Sequence, residues 1–130
     1  MDLQLLNLTN VARRSAGLPS LLLDPILQRA AQDHAQAMAS GGFFDHVDRL
    51  GRGVGERLLD AGYNYRWAGE NISAGKDQVE AVVQWWLSSA PHRENILKPE
   101  FTAMGFGHTF IANDRLAFHH YWVQVFASPL

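Results

Sequence analysis

Helix-patterned segments followed by a terminal hairpin pattern predict an α+β domain with helices packed on an antiparallel sheet. Leucine- and alanine-rich stripes at helical spacing fill much of the first ninety residues, with short extended pieces in the middle. From Ala103 to Phe126 the chain switches to aromatic and β-branched residues around Asn113-Asp114, the pattern of two long strands joined by a turn. With 130 residues, 47% of them hydrophobic and 11% aromatic, the chain is long enough to bury one core and short for two. A single domain spanning 1–130 is expected.

The elements follow in order. Leu3, Leu6 and Val11, with Leu5 and Leu8, give a helical stripe that ends near Gly17, where Leu18-Pro19 breaks it. Asp24-Pro25 combines an N-cap with a proline in the first turn, and opens a helix running through Met38 to Gly41-Gly42. Gly51, Gly53 and Gly55 punctuate a loop, and Val54 to Ala61 form a short helix closed by Gly62. Asp77 with Glu80 is spaced as a capping box before the apolar stripe of Val79, Val82, Val83 and Trp86, and Pro91 is expected to end that helix. His92-Arg93-Glu94-Asn95 then falls in a loop, with Arg93 and Asn95 satisfying backbone groups. In the last strand Phe118, His120, Trp122, Gln124 and Phe126 share one face, and His119, Tyr121, Val123 and Val125 the other.

Composition excludes several classes. Eleven basic against thirteen acidic residues give a net charge of −2, so neither a nucleic-acid footprint nor a polybasic membrane anchor is present. There is no cysteine, hence no disulfide framework, thiolate metal cage or cysteine nucleophile. The run Leu21-Leu22-Leu23 is far too short to span a bilayer. The opening Met1-Asp2-Leu3-Gln4 lacks a basic region followed by an apolar stretch, so it is not read as a signal peptide. Gly51-Arg52-Gly53-Val54-Gly55 lacks the lysine and the preceding strand of a phosphate-binding loop.

The chemistry concentrates in three short blocks: Phe43-Phe44-Asp45-His46, Gly69-Glu70-Asn71-Ile72 and His119-His120-Tyr121-Trp122-Val123-Gln124. Two imidazoles and a carboxylate are the groups that hold a divalent transition metal or move protons near neutral pH. His108 faces His119 across the hairpin if the turn at Asn113-Asp114 is tight, and faces His120 if the loop register differs by one residue; an exposed polar pair is the expectation. His34 is expected to be packed or capping. Of the adjacent tryptophans only one can point inward, and Trp85 is expected to be the exposed one.

These blocks, together with Leu23-Asp24-Pro25, Ala30-Ala31-Gln32-Asp33-His34-Ala35, Ala61-Gly62-Tyr63, Ser89-Ala90-Pro91-His92-Arg93-Glu94-Asn95-Ile96-Leu97, Met104-Gly105-Phe106-Gly107 and the run through Val125-Phe126, resemble the CAP superfamily of cysteine-rich secretory, antigen 5 and pathogenesis-related proteins, including its compact bacterial SCP-like branch. The resemblance implies an α-β-α sandwich, a central antiparallel sheet flanked by helices, with a cleft that in the family often carries two histidines and two acids. By motif His46 and His120 match the histidines and Glu70 matches one acid. The second acid falls on Ser89, and a serine is neither a general base nor an anionic ligand.

The function expected from this is an exported or envelope-associated binding module whose cleft, lined by His46, Glu70, Ser89 and His120, takes a divalent cation. Zinc suits such donors, at roughly 2.0–2.2 Å, with His46 and His120 as its ligands. The organic ligand is open, a lipid or other small molecule or a protein, and neither nucleic acid nor a transmembrane segment is expected. A metal-dependent hydrolase of peptidase or esterase type, with Glu70, His46 and His120 as catalytic candidates, is the alternative. A purely structural interaction domain, in which Glu70 only ties its segment to the terminal strand, is the third reading.

Overall fold

The computed structural model describes residues 3–130; Met1 and Asp2, the first half of the stretch read against a signal peptide, lie outside the described residues. Helices α1 (Gln4–Ser15), α2 (Pro25–Gly41), α3 (Val54–Asp60), α4 (Val79–Ser88) and α5 (Ala90–Ile96) enclose strands β1 (Leu22–Leu23), β2 (Tyr65–Ala74), β3 (Ala103–Phe110) and β4 (His120–Pro129). The sheet order is β1-β3-β4-β2. It is antiparallel except for the two-residue pairing of β1 with β3.

Alternation along β4 decides the layers. Tyr121, Val123, Val125 and Ala127 pack with Leu27, Ala31, Ala35 and Met38 of α2 and Leu58 of α3. Trp122 and Phe126 pack instead with Leu5 of α1, Val82, Val83 and Trp86 of α4, and Ile96 of α5. The result is the expected α-β-α sandwich, with one core on each side of the sheet. Each side chain of the size of Val82 or Val83 contributes about 1.5–3 kcal/mol when fully buried.

Two glycines set the spacing of the first layer. A Cβ at Gly107 would lie 2.5 Å from the Cα of Gln32, and one at Gly105 would meet the backbone of Leu27 and Gln28. The backbone of α2 therefore rests directly on β3. This approach brings Gln28 and Gln32 over the outer side of β3, where their Oε1 atoms accept from the backbone N–H of Phe106 (2.8 Å) and His108 (3.0 Å). The opposite edge, β2, is closed in the same manner: Asn95 donates to the Glu70 carbonyl (3.2 Å) and the Trp86 indole to that of Ile72 (3.1 Å). Side chains thus occupy backbone groups that an exposed strand edge would offer to another chain.

A buried polar chain crosses the second core. Gln124 donates to Thr9 (2.8 Å) and accepts from Asn71 (3.2 Å), and Asn71 accepts from Asn95 (2.9 Å). Arg13 is also buried there, donating to the carbonyls of Pro19, Ile96, Lys98 and Phe101, so that it ties α1 to the C-terminal end of α5. Four carbonyls replace the carboxylate partner that a buried guanidinium usually takes, and burial lowers its pKa.

Three sequence expectations change. Gln78, not Asp77, stands at the N-cap of α4, and no side chain caps it. Pro91 does not end a helix but starts one: Ser89 closes α4 in extended geometry and is also the N-cap of α5, with proline in the first turn. His92 to Asn95 are consequently helical, while Asn95 does bind backbone, as expected. The β3–β4 connection is longer than a tight turn, so His108 pairs with Trp122 and Phe110 with His120. Asp114 organises that connection by accepting from the backbone N–H of Leu116, Phe118 and His119 and from the Tyr121 hydroxyl at 2.6 Å. The other helices match, with Asp24 capping α2 through the N–H groups of Ile26 and Leu27 and Gly42 ending it at φ 67°.

Candidate functional site

Glu70 is the centre of the site, and its neighbours in the Gly-Glu-Asn block explain its position. A Cβ at Gly69 would sit 2.8 Å from the Phe101 ring, so glycine lets that ring lie against β2. Asn71 points into the polar chain of the second core. Glu70, between them, points the other way, and its carboxylate is almost wholly buried.

Two side chains meet that carboxylate. Arg57 of α3 donates from Nη2 to Oε1 at 3.0 Å, with Nη1 2.9 Å from Oε2 in an ion pair whose angle is poor for hydrogen bonding. Nδ1 of His46 is 2.9 Å from the same Oε1. The loop carrying His46 is held from both sides: Arg57 donates to the His46 carbonyl (2.8 Å), and the ring of buried His34 lies 2.8 Å from the Asp45 carbonyl through Nε2. His34 is therefore packed and loop-tying, as expected.

The charges order themselves accordingly. Burial alone would raise the Glu70 carboxyl, but the His46 and Arg57 hydrogen bonds and the Arg57 charge hold it below the usual carboxylate range. The Glu70 hydrogen bond raises the His46 pKa against the opposing effect of its partial burial.

His92 is a second imidazole whose segment is tied to Asn71, the residue after Glu70, and sequence reading missed it. Burial, then the charge of His46, lowers its pKa. Its Nδ1 lies 2.9 Å from the Ser89 hydroxyl, and Asn71 donates to its carbonyl (3.1 Å). Ser89 thus orients a histidine from the helix start. The signal was available in Ser89-Ala90-Pro91, which has the same logic as Asp24-Pro25: a cap followed by proline in the first turn, placing residue 92 one turn beyond the cap.

His120 does not join this group. Glu70 pairs with Val125 of β4, five residues from His120, or roughly 17 Å at a strand rise of ~3.4 Å per residue. The two also lie on opposite faces, because His120 shares its parity with Trp122 and Phe126. Its ring meets His108 instead, Nδ1 to Nε2 at 2.8 Å. The structure thus joins His46 to Glu70, sets Ser89 against His92, and leaves His120 apart.

As a donor set, the site offers two imidazoles whose Nδ1 atoms are already held, which leaves Nε2 of each as the nitrogen for a ligand. A buried carboxylate behind a histidine is the usual support for a metal-ligating imidazole. The donors therefore suit a cation through His46 and His92, while Glu70, engaged by Arg57 and His46, supports rather than ligates. Among the described residues no group of three or more His, Cys, Asp or Glu side chains is placed to hold a metal.

Residues 6–126 match the family model of the cysteine-rich secretory protein family, CAP. The chain belongs to the CAP family. It does so without a single cysteine. This CAP domain is 36% identical to YkwD of Bacillus subtilis over 105 residues, 81% of the chain and 41% of YkwD, and 34% identical to the membrane protein YlbC of the same organism over 80% of the chain and 30% of YlbC. The chain thus spans less than half the length of these curated relatives. Among solved structures, the CAP domain superimposes on an extracellular SCP-domain protein of Bacillus anthracis with TM-score 0.84 and 30% identity, covering 96% of the chain and 39% of that protein. An outer surface protein of Borrelia burgdorferi gives TM-score 0.88 over 100% of the chain and 97% of its own, at 18% identity, a likeness of fold. Among the described residues no helix is long and apolar enough to cross a membrane.

Proposed function

We propose that this CAP domain is a binding module of the cell exterior or envelope, whose cleft at edge strand β2 takes a divalent cation or small polar ligand between His46 and His92. One observation carries the choice of binding over catalysis. Oε1 of Glu70 is taken by Arg57 and His46, Oε2 faces the Arg57 guanidinium in an ion pair, and the carboxyl is held below the ordinary range. A general base must be free to take a proton and basic enough to keep it; Glu70 is neither. The exterior placement rests on the extracellular and outer-surface relatives.

Zinc suits two imidazoles with water completing its shell. When bound it would supply Lewis acidity; the chain's own part is orientation, Glu70 fixing His46 and Ser89 fixing His92. A metal-dependent hydrolase remains the second reading, favoured by one feature: the two histidines are shifted in opposite directions, His46 upward and His92 downward, the kind of separation that divides acid from base roles.

Site-resolved NMR of the imidazole groups during zinc titration tests the binding reading. Saturable shifts of His46 and His92 are expected, and their absence removes it. Chelator-sensitive turnover of an ester or peptide panel, lost in His92→Ala, would favour the hydrolase instead.

A further inference from the structure

The far end of the β3–β4 ribbon carries a second histidine pair that the cleft does not use. Phe110 is opposite His120 and Trp122 is opposite His108, so the two histidines are diagonal neighbours on one face. Nε2 of His108 lies 2.8 Å from Nδ1 of His120. The rings are within 7° of parallel with centroids 5.1 Å apart. With nitrogens so much closer than centroids, the rings meet edge to edge, two nitrogens facing across one shared hydrogen.

Aromatic rings flank this pair. His108 stacks on the Trp122 indole at 3.9 Å and 14°, and His120 packs against Phe110 at 5.0 Å. Burial, then the charge of His120, lowers the His108 pKa. Asp77 lines the same opening as His120, Phe118 and His119. Each imidazole thus has the other as its polar partner, on a face open to solvent.

We propose that His108 and His120 form a two-imidazole site for a borderline transition-metal cation, copper(II) above all, separate from the cleft. Two nitrogens bound to one ion at about 2.0 Å sit roughly 2.8–3.4 Å apart in cis or tetrahedral positions, so the present 2.8 Å separation needs little change. Each ring turns about its side-chain bonds until both lone pairs converge on the ion. With one hydrogen on each ring, the bridging hydrogen relocates to the other nitrogen of its own ring, and binding in that form releases no proton. Water fills the remaining positions. Copper(II) leads because imidazole affinity peaks there among the divalent first-row ions.

Trp122 supplies an internal reporter, since copper(II) held by a ring stacked on its indole quenches its fluorescence. In an untagged chain, titration with copper(II) at pH 7.5 should give saturable quenching and an electron paramagnetic resonance spectrum with coupling to imidazole nitrogen. Both should be lost in His108→Gln and His120→Gln and retained in the His46→Ala/His92→Ala double variant. The histidines of the dyad are surface groups, and circular dichroism of the glutamine variants verifies that the fold persists. Saturable quenching that survives both glutamine substitutions, or that disappears only in the cleft variant, overturns the proposal; so does the absence of saturation in the parent. Because the cleft reading is tested by resonances of His46 and His92, the two can fail independently.

Discussion

At Glu70 the chain holds one carboxylate, one guanidinium and one imidazole within hydrogen-bonding range, and the direction of each shift follows from that contact. A raised His46 pKa means that the folded protein holds this proton more tightly than the unfolded chain does. The stability it contributes is fully present below about pH 6.5 and is lost as pH rises through the folded value. Replacing Glu70 by Gln removes the principal cause, so an NMR titration should show the His46 midpoint above about 6.5 in the parent and moving down in Glu70→Gln. An unmoved midpoint would mean another group raises it. Arg57→Met is expected to cost about 3–5 kcal/mol in chemical denaturation, because it leaves a buried carboxylate with its main counter-charge gone. The Arg57→Met/Glu70→Met double variant should lose less than the two singles combined. At this scale His46 and Glu70 were legible from their motifs. His120 was misplaced although its parity was visible: it alternates with Trp122 and Phe126, on the face away from Glu70. Arg57 carried no signal, because nothing in a short helix announces which buried acid an arginine will meet on the sheet beneath it.

The elements depend on a few backbone approaches. Gly105 and Gly107 admit α2 onto β3, and this contact positions His34, which in turn holds the loop of His46. Gly107→Ala should therefore destabilise by about 1–3 kcal/mol or more, since the new methyl meets the helix backbone, which cannot yield as a flexible side chain would. Thermal denaturation reads the loss, and a variant as stable as the parent would show that α2 can ride outward. Most element boundaries were readable because their caps are local chemistry: Asp24 before Pro25, Gly42 after α2, Gly62 after α3. The α4–α5 junction was not, because proline marks both helix stops and helix starts, and only the serine two residues before it decides between them. The β3–β4 register was hidden for a different reason. It is set by Asp114 gathering three backbone N–H groups and a tyrosine hydroxyl, a fold of the loop that pattern alone does not reveal.

For the molecule as a whole, the buried histidines make the sandwich sensitive to mild acid. His34 is buried, with Nε2 donating to the Asp45 carbonyl and Nδ1 enclosed without a partner, and burial lowers its pKa. His92 is lowered as well, by burial and then by His46. For both, the unfolded chain takes up protons from about pH 6.5 downward while the folded chain does not, so stability falls until each folded value is reached. His46 acts in the opposite sense but above this range, its contribution already complete by about pH 6.5, and Glu70 adds its own loss only at lower pH, as pH falls through its depressed value. The two lowered histidines therefore leave a decline below about pH 6.5, to which His34 contributes from beneath the loop that carries the site. The melting temperature is therefore expected to fall between about pH 6.5 and 5 in the parent, and less steeply in His34→Gln, whose amide can still donate to the Asp45 carbonyl but takes up no proton. Equal slopes in the two proteins would show that His34 gains its proton without unfolding the loop, and the acid sensitivity would then belong to His92.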